Sequence, residues 1–306
     1  MPLMRHVFLL FLFSVLCYGL LPAQVVVDLQ RGGATVRPKT AEDYAREREE
    51  RQARLERADT AAYRGCLLRA FAALGGDSLL RAWELFEEAL RLMPDAPGNS
   101  VVRHNIGRIH LVQGDYARAV EQFTAVLRRS PDVRAVRHDR ASAYLQMGYA
   151  KEAVGDCDIL LRDEPADSLR AALFFLRAAA RMKLRLFDDA RRDLQQCLAL
   201  SPDREGAALL LVMVLQQGGR PQEAMQRLNL FIVAHPRSAD ALALRAGMEA
   251  EQGMYEAARY DLDAAIAAEP SNSALYEERA KVLEALGLPV AARRDAARAA
   301  ELSAHP

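Results

Sequence analysis

"QGDYARAVEQFTAVLRRSP", residues 113–131, reads as one amphipathic helix closed by a proline, and its skeleton returns along the chain. With Ala119 as anchor, Phe123 stands at i+4, Val126 at i+7 and Pro131 at i+12. The same or nearly the same offsets give Ala82/Phe86/Ala89/Pro94, Ala153/Cys157/Leu160/Pro165, Ala190/Leu194/Cys197/Pro202, Ala224/Leu228/Phe231/Pro236 and Ala258/Leu262/Ala265/Pro270. A seventh copy, Ala292/Ala296/Ala299, lacks the proline. Successive anchors lie 37, 34, 37, 34, 34 and 34 residues apart, a period that marks a stacked helical array.

The offsets have a physical meaning. Residues at i, i+4 and i+7 share one helix face, so each segment buries a stripe, and the following proline ends the helix because it has no N–H to donate. A small anchor lets the preceding helix approach closely. That preceding helix is visible in "VVRHNIGRIHLVQGDY", "AVRHDRASAYLQMGY" and "DALALRAGMEAEQGMY", each ending in a glycine five residues before the anchor. Gly114, Gly148, Gly219, Gly253 and Gly287 punctuate the helix–helix turn. A helical hairpin of this kind cannot bury its own surface, so neighbours must stack to complete the core.

With its Gly, Ala, bulky apolar, Ala and Pro pattern, the chain resembles the tetratricopeptide repeat (TPR) family. The early Trp of that family is absent, and its Leu-Gly pair survives as Ile106-Gly107. The resemblance implies an all-α solenoid, a right-handed superhelix of about seven TPR hairpins with a charged N-terminal helix before them. The expected organisation is a signal peptide at 1–23, a flexible lead and charged helix at 24–60, and the array at 61–306.

A second pattern runs in the same register. Thirteen residues before the anchor and three after it stand Arg140 and Asp156, Arg177 and Asp193, Arg245 and Asp261, Arg279 and Asp295. Two other repeats lose both members together, Ile106 with Gln122 and Leu211 with Arg227. Joint presence and absence predict an Arg–Asp bridge between the two helices of each hairpin, structural rather than catalytic. Partly exposed, each would contribute about 0–1 kcal/mol.

Composition agrees with packed helices: apolar residues reach 51% and aromatics only 7%, which leaves little for a sheet sandwich. Basic and acidic residues cancel at 41 each, so there is no basic footprint for a phosphate backbone, and nucleic acid is not an expected partner. At the N-terminus, "MPLMRH" carries Arg5, "VFLLFLFSVLCYGLL" is apolar, and "LPA" precedes Gln24. These predict a secretory signal cut after Ala23. As a helix the apolar run would reach about 22 Å, short of the ~30 Å hydrocarbon layer. No stable membrane span is then expected after cleavage; an uncleaved anchor is the alternative. Leu16 directly before Cys17 departs from a lipoprotein signal.

Three cysteines remain, Cys66, Cys157 and Cys197, with no C-x-x-C spacing. They read as buried thiols, with a disulfide left open by export. The lead "QVVVDLQRGGATVRPKT" has no helical period, whereas "AEDYAREREERQARLERA" supports a solvated helix through Glu42–Arg46, Glu47–Arg51 and Glu50–Arg54, with a partner-binding arm as the sharper reading. The last helix, rich in alanine, reads as a cap.

No nucleophile elbow, phosphate loop, dinucleotide fingerprint or zinc-protease helix occurs. His104 and His138 occupy matching places in adjacent repeats, but no Asp or Cys is expected to complete a metal site, so neither metal nor cofactor is predicted. In the TPR family the first helices line the concave surface, which implies that residues 15, 11 and 8 before each anchor face a groove. Those are His104, Arg108 and Leu111; His138, Ser142 and Leu145; Phe175, Ala179 and Met182; Leu209, Met213 and Gln216; Ala243, Gly247 and Ala250; Glu277, Lys281 and Glu284. One end is basic and polar, the middle apolar, the far end mostly acidic. A patch of Phe175, Met182, Leu209 and Met213 would face water unless curvature lets these side chains bury one another or a partner covers them.

The expected function is a non-enzymatic scaffold of the bacterial periplasm or cell envelope that binds a protein or peptide segment in its groove. The alternatives are a subunit docked permanently in an envelope assembly for secretion or outer-membrane biogenesis, and a small-molecule pocket. Oligomeric state is not legible.

Overall fold

A computed structural model describes residues 41–76, 78–162 and 166–304. The apolar N-terminus with Cys17, the lead at 24–40 and Pro165 lie outside them. Among the described residues there are fourteen α-helices and no strand: α1 (Ala41–Gly75), α2 (Leu79–Leu92), α3 (Asn99–Val112), α4 (Tyr116–Arg129), α5 (Arg134–Gln146), α6 (Ala150–Arg162), α7 (Asp167–Lys183), α8 (Phe187–Leu200), α9 (Glu205–Gln217), α10 (Pro221–Ala234), α11 (Ala239–Glu251), α12 (Tyr255–Ala268), α13 (Ser273–Ala285) and α14 (Pro289–Ala304). The chain divides into two compact units, Met1–Leu55 and Glu56–Pro306.

In the first unit the described residues belong to α1, with Tyr44 and Leu55 both exposed and Arg46 paired with Glu50 at 4.0 Å. The expected end of the charged helix near residue 60 is corrected. Nothing in "ADTAAYRGCLLRAFAALG" breaks a helix, so α1 runs on to Gly75 and its C-terminal part serves as the first helix of the first repeat.

The second unit is an all-α solenoid of seven hairpins. Five second helices stop two residues short of a proline: α2 before Pro94, α4 before Pro131, α8 before Pro202, α10 before Pro236 and α12 before Pro270. Ala82, Ala119, Ala153, Ala190, Ala224 and Ala258 have no exposed surface, and Phe86, Phe123, Cys157, Leu194 and Leu228 are equally enclosed one turn later. Each large side chain so enclosed contributes roughly 1.5–3 kcal/mol of burial. The approach is tightest at Gly107, where a Cβ would sit 2.4 Å from the Phe123 ring. First helices of successive repeats also pack on one another, as α3 with α5, α5 with α7, α7 with α9 and α11 with α13, so their side of the array is the inner one. On α14 Ala292 and Ala299 are buried while Ala296 is exposed.

The hairpin turns share one hydrogen-bond pattern. In the α3–α4 turn, Gly114 N–H donates to Leu111 O at 3.2 Å and Asp115 N–H to His110 O at 2.9 Å, the Schellman arrangement that satisfies helix-end carbonyls. It needs a left-handed residue, and Gly114, Gly148, Gly219, Gly253 and Gly287 all have φ between 73° and 82°. The α7–α8 turn makes the same bonds, Arg185 N–H to Met182 O and Leu186 N–H to Arg181 O, both 2.9 Å, yet places Arg185 at φ 61°. An L side chain is disfavoured there by roughly 1–2 kcal/mol, partly offset by the entropy a glycine loses on folding. Arg185→Gly is expected to stabilise the protein by about 1 kcal/mol, read as a higher midpoint in urea unfolding followed by circular dichroism; an unchanged or lower midpoint would show that the Arg185 side chain more than offsets its backbone.

Candidate functional site

The four Arg–Asp pairs come together as bidentate forks. Arg140 donates through Nε and Nη2 to Asp156 at 2.8 and 2.8 Å, Arg177 to Asp193 at 3.0 and 2.6 Å, Arg245 to Asp261 at 2.6 and 2.8 Å, and Arg279 to Asp295 at 2.7 and 2.9 Å. The aspartates, on the second helices, are buried, with Asp156, Asp193, Asp261 and Asp295 only 2–6% exposed, while the arginines keep 15–23% of their side-chain surface. A pair this deep sets attraction against desolvation, so its net worth is small while the loss of one partner is costly.

The remaining guanidinium nitrogen does something the sequence did not disclose. Nη1 of Arg140, Arg177, Arg245 and Arg279 donates to Thr124, Asp158, Asn229 and Asp263 at 3.2, 2.6, 3.0 and 2.7 Å. All four acceptors stand five residues after the preceding anchor, so each arginine fastens two repeats together. Glu87 and Gln195 hold the same register ahead of Ile106 and Leu211, which is why an acceptor at that position is no signal by itself. In those two repeats the site is apolar: Ile106 is 0% and Leu211 3% exposed. Gln122 instead accepts from Arg103 at 3.0 Å, and Arg227 pairs with Glu223 at the surface.

The basic end of the inner face centres on a carboxylate that the sequence reading passed over. Asp139 hydrogen-bonds with His104 Nε2 at 2.8 Å and His138 Nδ1 at 3.2 Å, and Arg108 Nε lies 4.0 Å away. Burial alone would raise the Asp139 carboxyl, but the hydrogen bonds and charge of the two imidazoles outweigh it and hold the group down at about 2. Among the described residues no group of three or more His, Cys, Asp or Glu is arranged to hold a metal. Leu145, expected on this face, is buried against Ala150, Ala153 and Ala180 instead.

In the middle, Phe175, Leu209, Met213 and Gln216 line one concavity of about 540 Å³ with Ala243 and Gly247, across α7, α9 and α11. Met182 is not part of it. Seven residues along a helix is about 10.5 Å, and Met182 opens on a separate depression of about 570 Å³ with Lys183, Arg185, Phe187 and Gln217. Between the two alternatives left open for this patch, the structure is intermediate: Phe175, Met182, Leu209 and Met213 are all half-buried, three of them leaning on the core. Arg204 caps the Phe175 ring at 4.6 Å, and Gln216 Nε2 donates to Glu251 Oε2 at 2.6 Å across the trough. Glu277, Lys281 and Glu284 are exposed on α13.

Cys66, Cys157 and Cys197 are buried and unpaired, and burial pushes the Cys157 thiol up to about 12. They are inert packing groups, not nucleophiles.

Residues 104–168 and 182–247 each match the tetratricopeptide repeat family, and the chain is a tetratricopeptide repeat protein. The fold is similar to that of a tetratricopeptide repeat protein from Parabacteroides merdae ATCC 43184, with TM-score 0.71 and 22% identity over 79% of this chain and 93% of that one. MamA 41-end from Desulfovibrio magneticus RS-1 aligns with TM-score 0.53 and 17% identity, over 58% of this chain and 97% of that one. Among curated proteins, the cellulose synthase operon protein C of Xanthomonas axonopodis pv. citri (strain 306) is 28% identical over 214 residues. That match takes in 68% of this chain but only 13% of the relative.

Two outcomes follow from the buried charges. Arg245→Met leaves the Asp261 carboxylate enclosed without its fork and is expected to cost about 3–5 kcal/mol, whereas Arg245→Met/Asp261→Leu recovers most of that loss in urea unfolding. Equal losses in the single and double variants would contradict the buried-pair account. For Asp139 the folded carboxyl is depressed, so its stabilisation is full above the ordinary value near 3.8 and disappears as pH falls through about 2. Asp139→Asn is expected to cost about 2 kcal/mol at neutral pH and nothing at pH near 2, a convergence that paired unfolding curves across pH would reveal or refute.

Proposed function

We propose that this protein is a non-enzymatic interaction scaffold that seats a protein segment, extended or helical, in the trough of α7, α9 and α11, and that it works after export in the periplasm or cell envelope of a bacterium. The observation that carries the reading is the convergence of Phe175, Leu209, Met213 and Gln216 from two repeats onto one open concavity. Half-buried apolar side chains beside a few polar groups suit a segment whose own apolar side chains complete their burial. Support for export is the apolar N-terminal run ending in "LPA" and the likeness to a protein named for a cellulose synthase operon. Among the described residues no helix is long and apolar enough to cross a membrane.

One observation favours a second reading, a subunit docked permanently in an envelope assembly. Leu230 and Val233, one turn apart on the second helix α10, are 72% and 81% exposed, an apolar pair on the outer side of the array. The two readings separate in a pull-down from envelope extract with the native protein and with a Leu209→Glu/Met213→Glu variant of unchanged helix content. A partner held by the native form and lost by the variant is the expected result; a partner held equally by both moves the interface to the outer helices or α1.

A further inference from the structure

The trough of the preceding subsection has a charge and a floor that define its occupant, an inference that rests on that groove reading. Its polar rim is acidic. Asp240 and Glu251 on α11 and Glu278 on α13 line it, and no lysine or arginine does. Beyond the rim α13 adds the exposed Glu277 and Glu284 against one base, Lys281. On the opposite side Arg204 is spent on the face of Phe175. The trough is therefore apolar over α7 and α9 and negatively charged over α11 and α13.

The floor holds two glycines that the fold does not require. Gly247 sits mid-helix in α11, and a Cβ built there would meet nothing within 4 Å; at Gly206 it would make only an ordinary contact with Phe175 at 3.9 Å. Gly247 is interior to its helix, where glycine costs roughly 0.5–1 kcal/mol relative to alanine, so stability alone would favour alanine there; Gly206 is the second residue of α9, outside that argument. Both glycines line the same concavity, and their missing side chains leave space that this chain does not use.

We infer that the occupant is a cationic amphipathic protein segment, with two or three large apolar side chains set on Phe175, Leu209 and Met213 and lysine or arginine side chains over Glu251, Asp240 and Glu278, its backbone passing close to Gly247. An acidic or neutral apolar segment would cover three carboxylates with no cation to offset their desolvation, Glu251 keeping only its neutral bond from Gln216.

The test is selection of random twelve-residue peptides displayed on phage against the purified protein, with Gly247→Trp, which fills the trough from open space, as the counter-surface. Peptides that prefer the native form are expected to combine apolar and basic residues. A synthetic copy is expected to bind about tenfold weaker to Glu251→Gln/Glu278→Gln, and to lose about tenfold between roughly 0.05 and 0.5 M NaCl. Selected peptides that are neutral or acidic, or that bind the double glutamine variant equally well, overturn the cationic occupant while Gly247→Trp still upholds the groove. Peptides that bind native and Gly247→Trp proteins alike, or no selection at all, overturn both.

Discussion

The array depends on one close contact repeated six times: an alanine on each second helix but the last lets the first helix of its hairpin lie near enough to enclose the larger residue one turn on. Ala82 to Ala258 show no exposed surface at all, and Gly107 marks how little room is left when that bulky residue is Phe123. A hairpin closed in this way still has two apolar faces. Stacking is the only way to remove them from water, which is why the sequence must repeat.

On that contact sits a second, less uniform device. Four arginines each grip an aspartate of their own repeat and an acceptor of the repeat before, and they do so under the helices rather than on the surface. Where the arginine is replaced by Ile106 or Leu211 the buried fork is missing, and the polar links between those repeats are Arg129–Asp95 at 3.2 Å and Arg220–Asp188 at 3.4 Å instead. The Leu211 junction belongs to α9, the helix that supplies Leu209, Met213 and Gln216 to the trough. The buried fork is thus absent at the centre of the candidate site, where the apolar content of the inner face is greatest, and present in the repeats on either side of it.

Much of this was legible because it is set by local chemistry. Proline two residues past a helix, glycine at a left-handed turn and an apolar stripe at i, i+4, i+7 each act within one helix or one turn, so their spacing alone fixes register and hairpin boundaries. The Arg–Asp forks were legible through joint presence and loss. What escaped needed distance in three dimensions. Asp139 sits next to His138 in sequence, but its partner His104 is 35 residues away. Met182 and Phe175 share a helix face yet open on different depressions, because they lie about 10.5 Å apart along α7. Arg185 escaped for the opposite reason: it breaks the glycine rule, and the turn bonds that hold it at positive φ are backbone bonds common to every sequence.

The electrostatics of the inner face change once Asp139 is counted. The sequence presents a groove basic at one end and acidic at the other, a gradient that would orient an occupant by both ends. With Asp139 ionised at neutral pH and seated between His104 and His138, beside Arg108, the basic end is largely neutralised within the protein. The acidic rim of Asp240, Glu251 and Glu278 has no basic partner among the residues of its concavity, Gln216 giving Glu251 a neutral hydrogen bond only. The field that an approaching segment meets is therefore one-sided. Negative potential over α11 and α13 attracts cations from solution and is screened within a Debye length of about 8–10 Å, so it selects by charge at short range while the apolar floor supplies the binding free energy.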